Sequence, residues 1–182
     1  MRNADAFKAL ACLVNYDPET GKCVWRRREE NCKKSKIFNA NYAGIECGRL
    51  DNRGYRQICF RNNGNRCYIY AHRLAWFITY GVVPEGEIDH IDRDTSNNRI
   101  KNLRDVSRAI NQRNAKMHAH NTSGVTGVYL DKKTRKWVAQ AHVDKKHIHV
   151  GCFSSISEAD VAIKTFRAKH GFTDNHGDSK TK

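Results

Sequence analysis

The sequence lacks any long hydrophobic run. No stretch of about 18 consecutive apolar residues, the length typical of a transmembrane helix, occurs in it. Residues 1–10 also lack the basic start and the apolar core of a secretory signal peptide. These absences predict a soluble, cytoplasmic protein that is neither secreted nor bound to a membrane.

Cysteine pairs with metal-binding spacing are missing too. The seven cysteines form no CxxC pair, and an odd number without such pairs favours neither a disulfide framework nor a zinc ribbon. Reduced thiols are therefore expected, with a structural zinc held by cysteines that folding brings together as an open alternative. Signatures of RRM and KH modules are absent as well, which disfavours an RNA-binding protein.

Acidic residues are scarce relative to basic ones. Lysine and arginine number 33 against 19 acidic residues, which gives a net charge of +14 over 182 residues. The excess is spread along the chain, and a compact protein with this charge repels itself unless something negative lies against it. The composition predicts a polyanionic partner, with nucleic acid as the natural candidate. The length allows one medium domain or two small ones.

The first third of the chain predicts a β-rich region. A short helix is expected over residues 5–13, followed by a Pro- and Gly-containing turn over residues 16–21. Short β-type runs with Asn/Gly turns between residues 22 and 70 predict hairpin strands. Residues 71–80 then predict a helix capped by Gly81. His72 lies at the start of this helix and is expected to cap or pack rather than to catalyse.

The centre of the chain predicts a ββα unit. The runs 87–92 and 102–106 are expected to be strands on either side of a polar loop, and Ser107 is suited to cap a helix over residues 108–113. Asp89 and His90 are adjacent, and neighbouring side chains on a strand point to opposite sides. A strand end or loop must therefore distort the backbone for both to face one site.

A second module is predicted beyond a linker at residues 116–122. Three strands and one helix with a Ser155–Glu158 capping box are expected between residues 123 and 173, and a disordered tail over residues 174–182. The first domain would then comprise residues 1–115. The expected fold class is α+β, with a three-stranded antiparallel sheet packed on one helix in the second module.

The central motifs resemble those of the HNH homing-endonuclease family. The segments IDHIDRD (88–94), NRIKNLR (98–104) and SRAIN (107–111) are similar to its motif, and AHRLAW (71–76) is similar to the segment that precedes it. The resemblance implies a ββα-metal nuclease core, with the HNH motif at about 71–115. It also suggests a mobile element of phage or microbial origin.

The resemblance implies a role for each motif residue. His90 would be the general base that deprotonates water, and Asn102 would orient its ring. Asp89 and Asn111 would bind Mg²⁺ or Mn²⁺ through oxygen, although Asn114 competes with Asn111 as a ligand and the asparagines 97, 98 and 102 could instead stabilise turns. The candidates for DNA contact in this region are Arg93, Arg99, Arg104, Arg108 and Arg113, and the sequence does not choose between Arg93 and Arg99 for the scissile phosphate.

The C-terminal module resembles the AP2/ERF DNA-binding domain. The segments SGVTGVY (123–129), KWVA (136–139), VGCF (150–153) and SEAD (157–160) carry this resemblance. In that family a sheet enters the major groove, which implies the DNA-contact candidates Tyr129, Lys133, Arg135, Trp137, Gln140 and His142. Lysine and histidine replace arginine on these strands, so backbone binding is expected more than base readout. Trp137 could equally be a core residue that packs on Phe166.

The expected function is metal-dependent hydrolysis of DNA phosphodiester bonds. The expected partner is double-stranded DNA, with no membrane and no small-molecule cofactor, and the protein is expected to be a monomer or weak dimer. A monomer with one site would cut one strand. The alternative is a non-catalytic DNA-binding protein that uses the nuclease motif as a scaffold.

Overall fold

The computed structural model describes residues 4–144, 146–174 and 176–178. Within them the chain forms five α-helices and several small antiparallel sheets, which confirms the α+β class. The chain divides into two compact units, residues 1–106 and 107–182. The sequence predicted the boundary after residue 115, whereas the helix that follows Ser107 lies in the second unit.

The N-terminal unit contains three helices and three sheets. The helices are α1 (Ala4–Ala11), α2 (Lys33–Tyr42) and α3 (Ala71–Tyr80). The strands are β1 (Val14–Tyr16), β2 (Cys23–Trp25), β3 (Arg49–Leu50), β4 (Arg56–Asn62), β5 (Asn65–Tyr70), β6 (Glu87–His90) and β7 (Leu103–Val106), and a 3₁₀ helix covers Ile100–Asn102. The strands pair antiparallel as β1-β2, β3-β4-β5 and β6-β7.

The main core of this unit lies between α1, α3 and the β3-β4-β5 sheet. Leu10, Ile58 and Leu74 are fully buried there. The apolar face of α3 was predicted from its spacing, and the helix ends at Gly81, which adopts a left-handed conformation with φ 74° as expected. A smaller cluster of Ala75, Ile88 and Leu103 connects α3 to β6 and β7. Helix α3 therefore supports the strands that carry Asp89 and His90.

Helix α2 corrects the prediction of strands throughout residues 22–70. Its buried residues are Ser35 and Asn39, so its inner face is polar and shows no hydrophobic period. The Asn39 amide donates to the carbonyl of Arg28 and accepts from its N–H, both at 2.8 Å. The Asn39 hydrogen bonds hold this helix together with one aromatic residue, Phe38, which packs on Trp25 and Arg28. A single aromatic contact gives no helical period, which explains why the sequence pattern gives no helical signal.

The C-terminal unit pairs one sheet with one long helix. Its elements are α4 (Arg108–Gln112), β8 (Val128–Leu130), β9 (Trp137–Val143), β10 (Lys146–Phe153) and α5 (Ile156–Lys169), with the antiparallel strand order β10-β9-β8. Val128, Ala139 and Ala141 on the sheet pack with Ala159 and Ile163 on α5.

Both predicted serine caps of this unit are present. Ser107 accepts from the Ile110 N–H at 3.4 Å, and Ser155 accepts from the Glu158 N–H at 3.2 Å. Each serine therefore satisfies one of the backbone N–H groups that a helix start leaves without an intrahelical acceptor.

Part of the predicted tail is hydrogen-bonded to the unit. The Gly177 N–H donates to the carbonyl of Ala115 at 2.8 Å, and the Thr126 hydroxyl donates to the carbonyl of Gly177 at 2.9 Å. Residues 175 and 179–182 of the tail lie outside the described residues.

The structure also bears on the state of the cysteines and on membrane-spanning helices. All seven cysteines are free thiols. In the described part of the chain, no helix combines the length and the apolar character that a membrane span requires.

Candidate active site

Strands β6 and β7 bring the motif residues of the N-terminal unit together. Asp89 pairs with Arg104 and His90 pairs with Leu103 in the antiparallel register. Both Asp89 and His90 are buried, with exposed fractions of 6% and 3%. His90 is the last residue of β6, and the chain turns at once, because the Arg93 N–H donates to the His90 carbonyl at 2.8 Å. Strand β6 therefore ends at His90, and the backbone leaves the strand conformation directly after the Asp89–His90 pair, where the sequence predicted a strand end or loop.

An ion pair holds the Asp89 carboxylate. Arg104 donates from Nε to Oδ2 of Asp89 at 2.8 Å, and its terminal nitrogen lies 2.7 Å from the same oxygen. The guanidinium is about one third exposed while the carboxylate is buried. Arg104 was expected to contact DNA, but in this structure its charge compensates that of a buried acid.

His90 is held by an amide and by two aromatic rings. Its Nε2 lies 3.1 Å from Oδ1 of Asn98, and Asn98 is itself buried. The rings of Tyr55 and His72 lie 5.8 Å and 5.3 Å from the His90 ring, measured between centroids. The imidazole orientation is therefore restrained from several sides, as a general base needs.

Asn98, and not Asn102, makes the hydrogen bond that was expected to orient His90. Asn102 ends the 3₁₀ helix instead of starting a strand, and its amide donates to Oδ1 of Asp92 at 2.9 Å and to the Asn97 carbonyl at 2.8 Å. Its own Oδ1 accepts from the Asp92 N–H. Asn102 therefore shapes the loop between the two strands, and its predicted contact with His90 is corrected.

A turn from the N-terminal region braces this loop. The Tyr16 hydroxyl donates to the Asn98 carbonyl at 2.8 Å, and the Arg99 guanidinium donates to the Glu19 carbonyl at 2.7 Å. Gly21 adopts φ 76°, and a Cβ added there would lie 2.5 Å from the Arg99 backbone nitrogen. Arg99 is thus engaged with the turn, and the choice between Arg93 and Arg99 for the scissile phosphate stays a prediction.

His72 is an additional residue at this site. Only 7% of it is exposed, and its ring stacks on Tyr70 at 13° while lying edge-on to His90. Burial, with the nearby His90 and Arg73, lowers the pKa of His72 to about 3, so the imidazole is neutral at pH 7. The expectation that His72 packs is met, but it packs directly against the predicted base.

The predicted site residues beyond Val106 belong to the C-terminal unit. Asn111 and Arg108 lie on α4, so the role of Asn111 as a metal ligand stays a prediction. Arg113 follows α4 and forms an ion pair with Asp144 at 2.9 Å. Its guanidinium also lies over the Phe172 ring, so Arg113 contributes to the packing of its own unit.

The sheet of the C-terminal unit has one face packed on α5 and one outer face. Ala139 and Ala141 are buried against the helix, so the alternating residues Gln140 and His142 lie on the outer face. Tyr129 is 46% exposed on β8. The neighbouring turn presents Lys133 and Arg135, both exposed.

Trp137 behaves differently from these DNA-contact candidates. It packs against the core of the unit together with Phe166, as the packing alternative described. The structure therefore groups the other predicted contacts on one surface and sets Trp137 apart from it.

The donors near His90 fit a hard divalent ion better than zinc. Among the described residues, no three His, Cys, Asp or Glu side chains are grouped so that they could hold a metal ion. Asp89 offers one carboxylate, and Mg²⁺ is usually held by one or two carboxylates together with water and substrate phosphates. Asp89 therefore provides an oxygen ligand of the kind that Mg²⁺ and Mn²⁺ take.

The Asn98 hydrogen bond leads to a testable expectation. Asn98→Ala should lower the rate of DNA nicking about 10- to 100-fold, because His90 loses the group that fixes its ring. Asn98→Asp keeps an oxygen acceptor and should retain more of the rate. Single-turnover nicking assays, with thermal unfolding of each variant as a folding check, would measure this; equal rates for Asn98→Ala and the wild type would contradict the assignment.

Residues 69–113 match the family model of the HNH endonucleases. The matched segment begins at the end of β5 and includes His72, Asp89, His90, Asn98 and Asn111. No curated protein and no solved structure matched the chain. The HNH match indicates a nuclease or DNA-binding function, with DNA as the substrate.

Proposed function

Because residues 69–113 match the HNH endonucleases, we propose that this protein is a metal-dependent, homing-endonuclease-like DNA endonuclease. The observation that carries the proposal is the setting of His90, which is buried, directly follows the buried Asp89 in β6 and is hydrogen-bonded by Asn98. A histidine that only supported the fold would not require a neighbouring carboxylate and an orienting amide together. The reaction is the hydrolysis of a DNA phosphodiester bond.

Each residue of the N-terminal site has a distinct part in this reaction. His90 accepts a proton from the attacking water while the Asn98 hydrogen bond holds its ring. Asp89 would hold Mg²⁺ or Mn²⁺, which when bound stabilises charge on the phosphate and on the leaving oxygen. The HNH resemblance implies Asn111 as a second ligand. Asn102 and the 16–21 turn keep the loop in shape around His90. One such site per chain would nick one strand.

The C-terminal unit positions the enzyme on DNA in this proposal. Its sheet carries Tyr129, Gln140 and His142 on one surface beside Lys133 and Arg135. An outer sheet face of this kind suits the major groove, as in AP2-like domains. Lysine and histidine on it supply charge without the bidentate fork that reads guanine, so phosphate contacts are expected to dominate.

Plasmid nicking tests the proposal directly. Supercoiled plasmid is incubated with the protein in Mg²⁺, Mn²⁺ or EDTA, and the His90→Ala variant purified in the same way reports contaminating nuclease. Nicking by the wild type that requires a metal and is absent from the variant would support the proposal. Identical nicking in both preparations, or none on a diverse DNA library, would reject it.

A specific observation favours the non-catalytic alternative. Arg104 forms an ion pair with Asp89, the carboxylate that would bind the metal. Such an ion pair is expected if Asp89 stabilises the fold and does not bind a metal. In that case the protein would bind DNA tightly without cutting it in any metal. Binding measured in EDTA beside the nicking assay separates the two functions.

Both functions share an expected dependence on salt. With a net charge of +14, DNA affinity should fall steeply as salt rises, because phosphate contacts release counterions with a slope of about −0.9 per contact in a log–log plot. Fluorescence anisotropy with a labelled duplex in EDTA would measure the slope. Affinity that does not change with salt would contradict binding through the basic surface.

A further inference from the structure

His72 in the N-terminal unit has a buried polar atom without a hydrogen-bond partner among the described residues. Nδ1 of His72 is fully buried and bonds to none of the described residues. The side chain lies in a cluster of rings formed by Tyr55, Tyr70 and His90, with centroids 5.2 to 5.4 Å from its own. An imidazole is therefore kept where an aromatic hydrocarbon would fill similar space.

The polar nitrogen is costly in this setting. A buried donor or acceptor without a partner destabilises a fold, and phenylalanine at position 72 would avoid that cost. Functional sites often contain groups that destabilise the free protein and that gain a partner only when the ligand binds. The nitrogen lies next to the predicted base, which places any such ligand at the reacting centre.

The local backbone also suits an anion. His72 lies in the first turn of α3, a helix of 10 residues whose N-cap residue, Tyr70, makes no side-chain capping bond. The N-terminus of a helix carries partial positive charge and N–H groups that favour phosphate. The His72 and His90 rings lie edge-on to each other, with an interplanar angle of 78° and centroids 5.3 Å apart, so the first turn of α3 lies beside the predicted base.

We propose that His72 is a further residue of the nuclease site and that its Nδ1 hydrogen-bonds a non-bridging oxygen of the DNA phosphate being cut. This inference rests on the proposed nuclease function. The contact forms when DNA enters and supplies the partner that Nδ1 has in none of the described residues. Because the imidazole is neutral, it contributes a hydrogen bond rather than a full charge, so it affects the reacting phosphate more than overall DNA affinity.

Two substitutions at the same position test the role of this nitrogen. His72→Phe keeps an aromatic ring in the cluster and removes both nitrogens, whereas His72→Asn places an amide close to the position of Nδ1. We expect the phenylalanine variant to be at least as stable to urea as the wild type and to bind duplex DNA in EDTA unchanged. Its kcat for nicking should fall by about 10²-fold. The asparagine variant should recover part of that loss.

The outcomes separate this inference from the nuclease proposal. If the wild type nicks and His72→Phe nicks equally well, the inference fails and the nuclease stands. It fails too if His72→Asn is no more active than His72→Phe, or if activity in both variants declines only in step with stability. If the wild type cuts no DNA with any metal, the nuclease proposal fails first and the inference with it.

Discussion

His90→Ala is expected to lower the rate of DNA nicking by about 10²- to 10⁴-fold, the range for loss of a general base. The buried imidazole lies beside Asp89 and is oriented by Asn98, and alanine cannot accept the proton of the attacking water. Single-turnover nicking of supercoiled plasmid at saturating protein would measure the effect. DNA affinity in EDTA should stay close to that of the wild type.

The matched control is His120→Ala, which removes an exposed histidine of the C-terminal unit. It should leave the nicking rate unchanged. A similar loss of rate in both variants would point to a general effect on the protein and would contradict the assignment of His90 as the base.

Gly21→Ala is expected to lower the free energy of unfolding by about 2–4 kcal/mol. The residue adopts φ 76°, and an added Cβ would lie 2.5 Å from the Arg99 nitrogen and 2.6 Å from the Asn98 carbonyl carbon. The left-handed conformation alone costs about 1–2 kcal/mol for a residue with a Cβ, and the contact with backbone adds a cost of overpacking. Urea unfolding would give the change. Nicking should also slow, because the displaced loop carries Asn98.

Gly44→Ala separates the two contributions. Gly44 adopts a similar φ of 79°, but a Cβ added there meets nothing within 4 Å. Its substitution should therefore cost only the conformational part and should leave nicking unchanged. An equal loss of unfolding free energy in both variants would show that the close contact between Gly21 and the backbone of Asn98 and Arg99 does not contribute to stability.

The sequence was sufficient to predict the elements around the base. The apolar face of α3, the strand of Asp89 and His90, and the Ser107 cap follow from local pattern, and the structure contains each of them. Local pattern works there because a side-chain period and a capping residue report the same backbone geometry that they stabilise.

The orienting amide could not be chosen from the sequence. Asn98 and Asn102 are both short amides in one polar loop, and only the 3₁₀ turn over residues 100–102 directs the second towards Asp92. A 3₁₀ turn of three residues leaves no hydrophobic period to detect. The identity of the residue that bonds His90 is therefore a property of the folded loop.

Helix α2 and His72 were harder still to interpret from sequence. The inner face of α2 is polar and depends on hydrogen bonds from Asn39 to a distant backbone segment. His72 gains its importance from rings that lie 17 residues before it and 18 after it in the chain, at Tyr55 and His90. The local sequence around a helix start does not reveal such long-range contacts.

The contacts between residues 16–21 and the loop of Asn98 and Arg99 also determine which segment could be transferred to another protein with its activity intact. The segment with family-like motifs spans residues 69–113, yet its loop is supported by Tyr16 and Glu19 and its base packs on Tyr55. A graft that starts near residue 69 would bring the reactive side chains without the supports that set their positions. Recombination that preserves activity should therefore join upstream of α1, and hybrids that retain residues 4–113 should be more active than those that begin near residue 69.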